Sequence, residues 1–524
     1  MAAATSLPEA ELAKALVMEP VEPSHWLIIL PIAWCIMFGA VLIALRKSTD
    51  RQPLIALPGL GGLVLMTGLL LKVVVDNGPI TMTMGRWLPP FGIAFTVDIM
   101  GALFAFAGAI AALAAGIYAL KEVDSSSRRY GFYPFLLLMM AGVTGAFLTG
   151  DIFNLYVWFE VLLIASFGLL ILGSEHEQID GAMKYAILNL MGTTLFLIAT
   201  GYLYSIFGTL NMADIAVRSK EMTDAAPLMT LASLYLLAFA MKAAAFPVNF
   251  WLPASYHTPR VAVAGVFAGL LTKVGVYALI RTLIMLLPAG HRELGFVLEL
   301  VAASTMIVGV LGALAQNDAR RMFGYLVISG IGVMLAGIAL GTQDALSGAV
   351  FYALHSMIAM LAIYLLGGVA NKLSGTHELS WMGGLYGKSP LSAVFALAIF
   401  FSIAGLPPFS GFWPKVMLVK ASFESQDWWL AGTILLTGFL TTITLGRFFA
   451  LAWWRPGLAG QAGETLPAKM DTSAMIAVAA LVVVITGFGV LPNGLMALTD
   501  KAAEGVLNPA AYIQSVFPEG APEQ

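Results

Sequence analysis

Apolar runs of about 20 residues recur from one end of the chain to the other, separated by short polar gaps. A run of that length is what an α-helix needs to cross about 30 Å of hydrocarbon. The pattern predicts about fourteen membrane spans, at roughly 26–45, 54–75, 92–119, 131–149, 152–172, 183–208, 227–253, 261–287, 295–315, 322–341, 346–369, 391–422, 428–453 and 473–498. No polar gap is long enough for a folded domain outside the membrane. We therefore expect an all-α polytopic membrane protein, with a single transmembrane domain over 1–524.

Composition agrees with this pattern. Of the 524 residues, 59% are hydrophobic and 11% are charged, which excludes an ordinary soluble globular protein. The one cysteine, Cys35, excludes an internal disulfide, an iron–sulfur cluster and a cysteine-based zinc site. No catalytic triad, phosphate-binding loop or basic patch for nucleic acid is evident, so we predict a transporter rather than an enzyme, without metal or cofactor. The first 25 residues are acidic apart from Lys14, so we expect no cleavable signal peptide.

Lysine and arginine residues concentrate in alternate loops. The loops that follow the odd-numbered spans hold fourteen of them, whereas the termini and the remaining loops hold six. Because cytoplasmic loops carry an excess of positive charge, the first set is predicted to be cytoplasmic. Both termini are thus expected on the outer side of the membrane.

Two of the predicted spans are interrupted by proline. Pro247 interrupts span 7, and span 12 is interrupted by Pro407, Pro408 and Pro414. Proline removes a helix N–H and clashes with the preceding turn, so the freed carbonyls need partners in protein or water. We expect a break in the helix at both places.

The two interruptions resemble each other, since PVNFWLP at 247–253 parallels PFSGFWP at 408–414. Paired, proline-interrupted spans in corresponding halves point to a transporter built from inverted repeats. We predict that spans 4–8 (131–287) form the first repeat and spans 9–13 (295–453) form the second. The alternative is that the prolines only kink two ordinary membrane helices.

Charged residues lie in the middle of several apolar spans. Glu160 lies in span 5, and three lysines follow: Lys242 in span 7, Lys273 in span 8 and Lys415 in span 12. An ionised side chain at bilayer depth costs from about 3 to more than 10 kcal/mol, so such residues face a protein interior or a wet cavity. The default interpretation is a pathway for ions or protons.

Lys242 is the best candidate for a proton carrier. Burial and a neighbouring carboxylate act in opposite directions on the affinity of a lysine for protons, and Glu160 is the predicted partner that tunes Lys242. Lysine suits this role because arginine stays charged. Lys273 shares a helix face with Gly265 and Gly269, so the alternative for Lys273 is that this face is only a packing seam.

His355 is central in span 11, and its side chain titrates near neutral pH, so it is a natural intermediate between lysines. The alternatives are a hydrogen-bonded core histidine or a haem ligand, but no second histidine is evident at that depth. Lys415 is predicted to be the terminal proton site, whereas Lys420 lies nearer the span end and is expected to snorkel.

A second group of candidates lies near the predicted ends of spans: Asp98, Asp151, His257 and Glu299. Asp98 and Glu299 are possible members of the pathway, and Asp151 and His257 are expected at helix ends. Arg281 is interpreted as marking an interface or a contact with a partner subunit.

Three stretches resemble the antiporter-like membrane subunits that respiratory complex I shares with multisubunit Mrp-type cation/proton antiporters. They are GDIFNLYVWFEVLLIASFGLL at 150–170, FAMKAAAFPVNFWLPASYHTPRVAVAGVFAGLLTKVGVY at 239–277 and GLPPFSGFWPKV at 405–416. The acid, the lysines, the prolines and their order all agree with that family. The resemblance implies fourteen helices, two inverted five-helix repeats and broken helices 7 and 12. It also implies a central polar axis of Glu160, Lys242, Lys273, His355 and Lys415.

Within that family the chain is most similar to the Mrp type. Lysine rather than glutamate in span 12 argues against the M-type subunit of complex I, and the chain ends soon after span 14, without the extension expected of the L-type. The resemblance implies a proton-translocating subunit of a hetero-oligomeric antiporter in the bacterial inner (plasma) membrane that serves pH homeostasis. Its partners would be other hydrophobic subunits, and the exchanged ions would be protons and Na⁺, K⁺ or Li⁺.

Two alternatives remain open at this point. A proton-pumping subunit of a redox complex, either NADH:quinone oxidoreductase or a membrane-bound hydrogenase, would have the same fold and relay. A stand-alone transporter or structural scaffold would use the lysines only to hold helices together.

Overall fold

A computed structural model describes the protein at residue 16 and at residues 21–222, 226–457 and 471–518. Lys14 and Lys469, which contribute to the predicted charge distribution, lie outside these residues. Within the described residues, twelve helices are long and apolar enough to cross a membrane. Two shorter apolar helices, Phe132–Leu148 and Pro390–Ala404, accompany them. The expected all-α polytopic membrane fold is therefore confirmed.

The elements of the first half are, in order, α1 Trp26–Ala44, α2 Gln52–Asn77, β1 Ile80–Thr83, β2 Ala94–Val97, α3 Ile99–Glu122, α4 Ser125–Arg129, α5 Phe132–Leu148, α6 Ile152–Leu170, α7 His176–Phe207, α8 Met212–Glu221, α9 Ala226–Ala243, α10 Trp251–Ser255 and α11 Val261–Leu286. Those of the second half are α12 Pro288–Glu293, α13 Gly295–Ala315, α14 Ala319–Leu340, α15 Gln343–Ser374, α16 Leu385–Lys388, α17 Pro390–Ala404, α18 Phe412–Glu424, α19 Trp428–Trp454, α20 Thr472–Val490, α21 Pro492–Leu507 and α22 Ala510–Val516.

Helices α11 and α15 form the centre of the protein. Every residue in the most apolar stretch of each is buried inside the molecule. Peripheral helices instead keep an apolar outer face, and Leu65, Ile164 and Val483 are 64, 64 and 70% exposed. Because a lipid-facing surface is apolar, polar side chains within the spans face the interior of the protein. The two central helices therefore offer the most protected sites for charged side chains.

Helix α11 departs from regular α-helical geometry in two places. Phe267–Leu271 and Ile280–Leu286 are both π-helical. Such segments are rare and frequently occur at functional sites. The first of them ends one residue before Thr272–Leu279, the α-helical stretch that contains Lys273.

A β-hairpin lies where span 3 was expected to begin. Strands β1 and β2 are antiparallel, with Ile80 opposite Val97. Helix α3 starts only at Ile99, because the carboxylate of Asp98 caps its first turn and accepts a hydrogen bond from Gly101 N at 2.9 Å. The predicted start of span 3 at 92 is therefore wrong.

Span 14 also differs from its predicted bounds of 473–498. Helix α20 ends at Val490, and Pro492 starts the separate helix α21. Proline favours the first turn of a helix, where its missing N–H has no intrahelical partner to lose. The apolar run therefore contains two helices instead of one.

Elements in the two predicted repeats correspond in detail. Helices α7 and α15 each contain 32 residues, and each ends at a glycine in the left-handed conformation. Asp151 before α6 forms an isolated bridge with Asn211, as Asp318 before α14 does with Glu378. In each case the feature of the first half precedes its counterpart in the second half by the same number of positions along the chain. These correspondences support the predicted repeats, whose inverted relation stays a prediction.

Candidate functional site

The first helix break follows α9 and has a defined backbone geometry. Ala244 adopts a left-handed conformation with φ of +59°. Ala245 N then donates to Ala240 O at 2.9 Å, which closes the helix with a Schellman-type hydrogen bond. The side chain of Trp251 reaches back from α10, and its Nε1 donates to Met241 O at 3.0 Å. The carbonyls of Ala240 and Met241 at the break thus find partners within the protein, as an interrupted membrane helix requires.

The second break follows α17 and repeats this geometry. Gly405 has a φ of +84°, and Leu406 N donates to Phe401 O at 2.9 Å. The chain then runs through a non-helical segment to α18. Two interruptions that resemble each other in sequence therefore share one backbone design.

The prolines occupy different positions in this design. Pro247 lies in the first break, and Pro407 and Pro408 lie in the second. Pro414 lies in the first turn of α18 instead, so its assignment to the break is corrected. At that position a proline starts a helix, since it gives up no intrahelical hydrogen bond.

Lys242 lies in the last turn of α9 and is 5% exposed. Its Nζ donates to the backbone carbonyl of Asn189 in α7 at 2.9 Å and lies 5.6 Å from the centroid of the Phe159 ring. Among the described residues, Lys242 has no carboxylate within 4 Å. Glu160, the residue after Phe159, is half-buried and interacts with Lys242 only through space.

Lys273 is completely buried in α11. Its Nζ donates to the carbonyl of Ala268, in the π-helical segment, at 2.6 Å. Gly269 explains how α15 approaches this face, because a Cβ on Gly269 would lie 2.7 Å from Met357 O. The predicted packing seam therefore exists, and it brings Lys273 close to the helix that carries His355.

His355 is completely buried in α15 and links the central helices to the second break. Its Nδ1 lies 2.8 Å from Ser410 Oγ, and Ser410 Oγ lies 2.8 Å from Ser402 Oγ. Its Nε2 has no hydrogen-bond partner among the described residues. Electrostatically, His355 is within range of both Lys273 and Lys415.

Ser402 and Ser410 were not predicted to be site residues. The only signal was the serine of PFSGFWP, a polar residue inside a proline-rich break. The structure shows that Ser410 belongs to the non-helical segment, which places its hydroxyl beside the central histidine.

Lys415 is half-buried in the first turn of α18. Its Nζ turns back to the end of α17 and donates to Ile403 O at 3.1 Å and Ala404 O at 2.7 Å. The last carbonyls of a helix lack intrahelical partners and carry partial negative charge, so they favour a cation. On its other side Lys415 lines a cavity of about 630 Å³ between α18 and α19.

The second group of candidates does not join this series. Asp151 caps α6 and accepts a hydrogen bond from Asn154 N at 2.7 Å. Glu299 is half-buried in α13, close to Trp429 of α19. His257 lies outside the membrane-spanning helices, and burial, reinforced by Arg321, lowers the pKa of His257 below its ordinary value. These three residues therefore have local partners of their own.

Asp98 and Arg281 form a buried ion pair. Arg281 Nη2 lies 2.5 Å from Asp98 Oδ1, and the side chains are 1% and 7% exposed respectively. The interpretation of Arg281 as an interface or partner contact is therefore wrong. Its ion partner follows β2, 183 residues away in sequence, and no local pattern predicts that pairing.

Comparisons with a family model, with named relatives and with solved structures agree with one another. Residues 149–441 match the family described as NADH:quinone oxidoreductase/Mrp antiporter, TM. The chain is 36% identical to the D-type subunit of the Na⁺/H⁺ antiporter of Alkalihalophilus pseudofirmus and 34% identical to that of Bacillus subtilis. Each alignment covers 94% of this chain and 99% of the relative. A chain in the structure of the Mrp complex from Dietzia sp. is similar with a TM-score of 0.87 and 28% identity, covering 95% of this chain and 100% of that one.

Proposed function

Since the chain belongs to the NADH:quinone oxidoreductase/Mrp antiporter family, we propose that it is the proton-translocating D-type subunit of a multisubunit Na⁺/H⁺ antiporter. The relatives named as that type of subunit match the chain over nearly its whole length, which favours this function over a subunit of a redox complex. The protein acts in a bacterial plasma membrane with other hydrophobic subunits, and both of its termini lie on the outer side.

One contrast among the buried cations carries the proposed mechanism. Arg281, which cannot release its proton, forms an ion pair with the carboxylate of Asp98. Lys242, Lys273 and Lys415 donate instead to neutral backbone carbonyls and have no carboxylate within 4 Å among the described residues. Because no direct ion pair holds these lysines in the charged form, they are free to change protonation state.

The relay runs from Lys242 through Lys273 and His355 to Lys415. Glu160 adjusts the charge of Lys242 through space, so movement of this carboxylate would favour proton uptake or release. His355 stands between the two later lysines, and Ser410 holds its Nδ1. One elementary charge is worth about 2.3 kcal/mol per 100 mV of membrane potential, so modest electrostatic changes suffice to drive each transfer.

The test uses the whole antiporter operon in a host that lacks its own antiporters. Na⁺-dependent collapse of ΔpH is measured in inverted vesicles for Lys242→Ala and Lys415→Ala at membrane abundance matched to the parent. We expect both to lose exchange. The control is Lys420→Ala, because Lys420 is exposed and pairs with Asp344 at the surface, at 2.7 Å.

Full exchange in both lysine variants would overturn the relay and leave the lysines as structural contacts. Failure of both variants to assemble would favour a scaffold. No exchange in the parent operon would favour a subunit of a redox complex.

A further inference from the structure

Arg281 shares a helix face with the relay. Lys273, Tyr277 and Arg281 follow one another at intervals of four residues along α11, so they line one side of the helix. Eight residues separate the first from the last, which corresponds to about 12 Å along the axis. Arg281 therefore lies between Lys273 and the end of α11 that the charge distribution predicts to be outside.

On the side of the relay, Arg281 offers only a hydrogen-bond donor. Arg281 Nε donates to Tyr277 OH at 3.1 Å, and Tyr277 OH donates to Phe147 O at 2.9 Å. A guanidinium has five N–H donors, no acceptor, and no proton that it releases in proteins. A proton that reached Tyr277 from Lys273 would therefore find no acceptor at Arg281.

The surroundings of this arginine are closed to solvent. The rings of Phe104 and Phe147 lie 5.5 and 5.1 Å from the ring of Tyr277. The guanidinium itself lies 5.3 Å from the ring centroid of Tyr512 in the C-terminal helix α22. A buried positive charge with donor groups only is a known kind of barrier to protons and cations in membrane channels.

We infer that the guanidinium of Arg281, which is paired with Asp98, is a barrier that seals the outer end of the relay at Lys273, so that protons leave through Lys415. This inference rests on the proposed relay. Asp98 holds the arginine in place from the start of α3, and the guanidinium faces Tyr277 on the relay side. Arg281 thus blocks the outer end of the relay and transfers no proton itself.

The test measures passive proton leak in proteoliposomes that contain the whole antiporter, with an internal pH dye and no Na⁺. Arg281→Gln removes the positive charge, and Asp98→Asn/Arg281→Gln replaces the ion pair by two amides of similar shape. We expect both variants to leak several-fold faster than the parent. Asp98→Asn alone keeps the guanidinium and should stay as tight as the parent.

Two further variants identify the route of the leak. Adding Lys273→Ala to the double variant should abolish the leak, because the proton must first reach the relay. Asp344→Asn/Lys420→Gln removes an exposed pair on the same predicted side and should leave the membrane tight.

A double variant that assembles at parental abundance and remains tight would overturn the barrier. So would a leak in Asp98→Asn equal to that in Arg281→Gln, since the pair would then act only through packing. Failure of the proposed relay is seen separately, as normal Na⁺-dependent exchange in Lys242→Ala and Lys415→Ala.

Discussion

The two helix breaks have the same backbone conformation, but their lysines lie on opposite sides of the interruption. At the first break Lys242 precedes the left-handed residue and donates across to Asn189 in a neighbouring helix. At the second break Lys415 follows the interruption and turns back to the helix that has just ended. One way of ending a helix is thus combined with two different ways of holding an ammonium group.

This difference gives the two lysines different electrical environments. Lys242 senses the carboxylate of Glu160 without touching it, so a small displacement of a charged residue changes its surroundings. Lys415 sits on the negative end of α17, which is a fixed partial charge. In the proposed relay, the first break is therefore suited to regulated uptake of a proton, whereas the carbonyls that hold the lysine of the second break carry a fixed charge.

The largest effect is expected where the second break has no room for a side chain. A Cβ on Gly411 would lie 1.9 Å from Ser402 O and 3.1 Å from His355 Nε2. Gly411→Ala should therefore distort the break and abolish Na⁺-dependent exchange, measured as ΔpH collapse. Gly432→Ala in α19 is the matched control, because nothing lies within 4 Å of its added methyl group. Parental exchange in Gly411→Ala would show that the geometry of the break is dispensable.

A smaller effect is expected when Glu160, the carboxylate that acts through space on Lys242, is neutralised. Two charges beyond contact distance interact by about 1–2 kcal/mol at an effective dielectric constant of about 20. Glu160→Gln should therefore slow exchange by about tenfold, since 1.4 kcal/mol is worth one decade, and move the alkaline limb of its pH profile to lower pH. The comparison fails if Glu160→Gln leaves both the rate and the pH profile unchanged.

The smallest effect concerns the left-handed residues themselves. Ala244 carries a Cβ in a conformation that costs about 1–2 kcal/mol, whereas its counterpart Gly405 avoids that cost. Ala244→Gly should keep full exchange and raise the thermal stability of the complex slightly, as followed by a melting assay. Gly405→Ala is the opposite change and should reduce exchange, because its Cβ would lie 2.6 Å from Lys415 Cδ. If Ala244→Gly and Gly405→Ala had the same effect on exchange and on thermal stability, Ala244 and Gly405 would not be counterparts.

Much of the fold follows from the sequence because membrane helices are defined locally. Runs of apolar residues predicted the long spans, and prolines predicted both breaks, since a proline affects its own turn. The hairpin before α3 was not predicted, because strands of four residues are too short to stand out within an apolar run. Pro414 was misassigned because a proline alone does not tell whether a helix is about to end or about to begin.

The sequence indicates which residues are candidates for the site, but it does not indicate what they contact. Glu160, Lys242, Lys273, His355 and Lys415 were evident as charged or polar residues in apolar spans. Their actual partners are mostly backbone carbonyls, which no side-chain pattern reveals. The Asp98–Arg281 pair joins residues of distant spans, so it depends on tertiary packing that a single sequence does not express.

Replacing the lysines by arginine distinguishes proton release from the effect of a fixed positive charge. Arginine keeps the positive charge but stays protonated. Lys242→Arg and Lys415→Arg are compared with the parent for Na⁺-dependent ΔpH collapse in inverted vesicles at matched abundance. We predict that both variants assemble and that neither exchanges Na⁺ for protons. Exchange at the parental rate in both would contradict this prediction, because charge alone would then suffice.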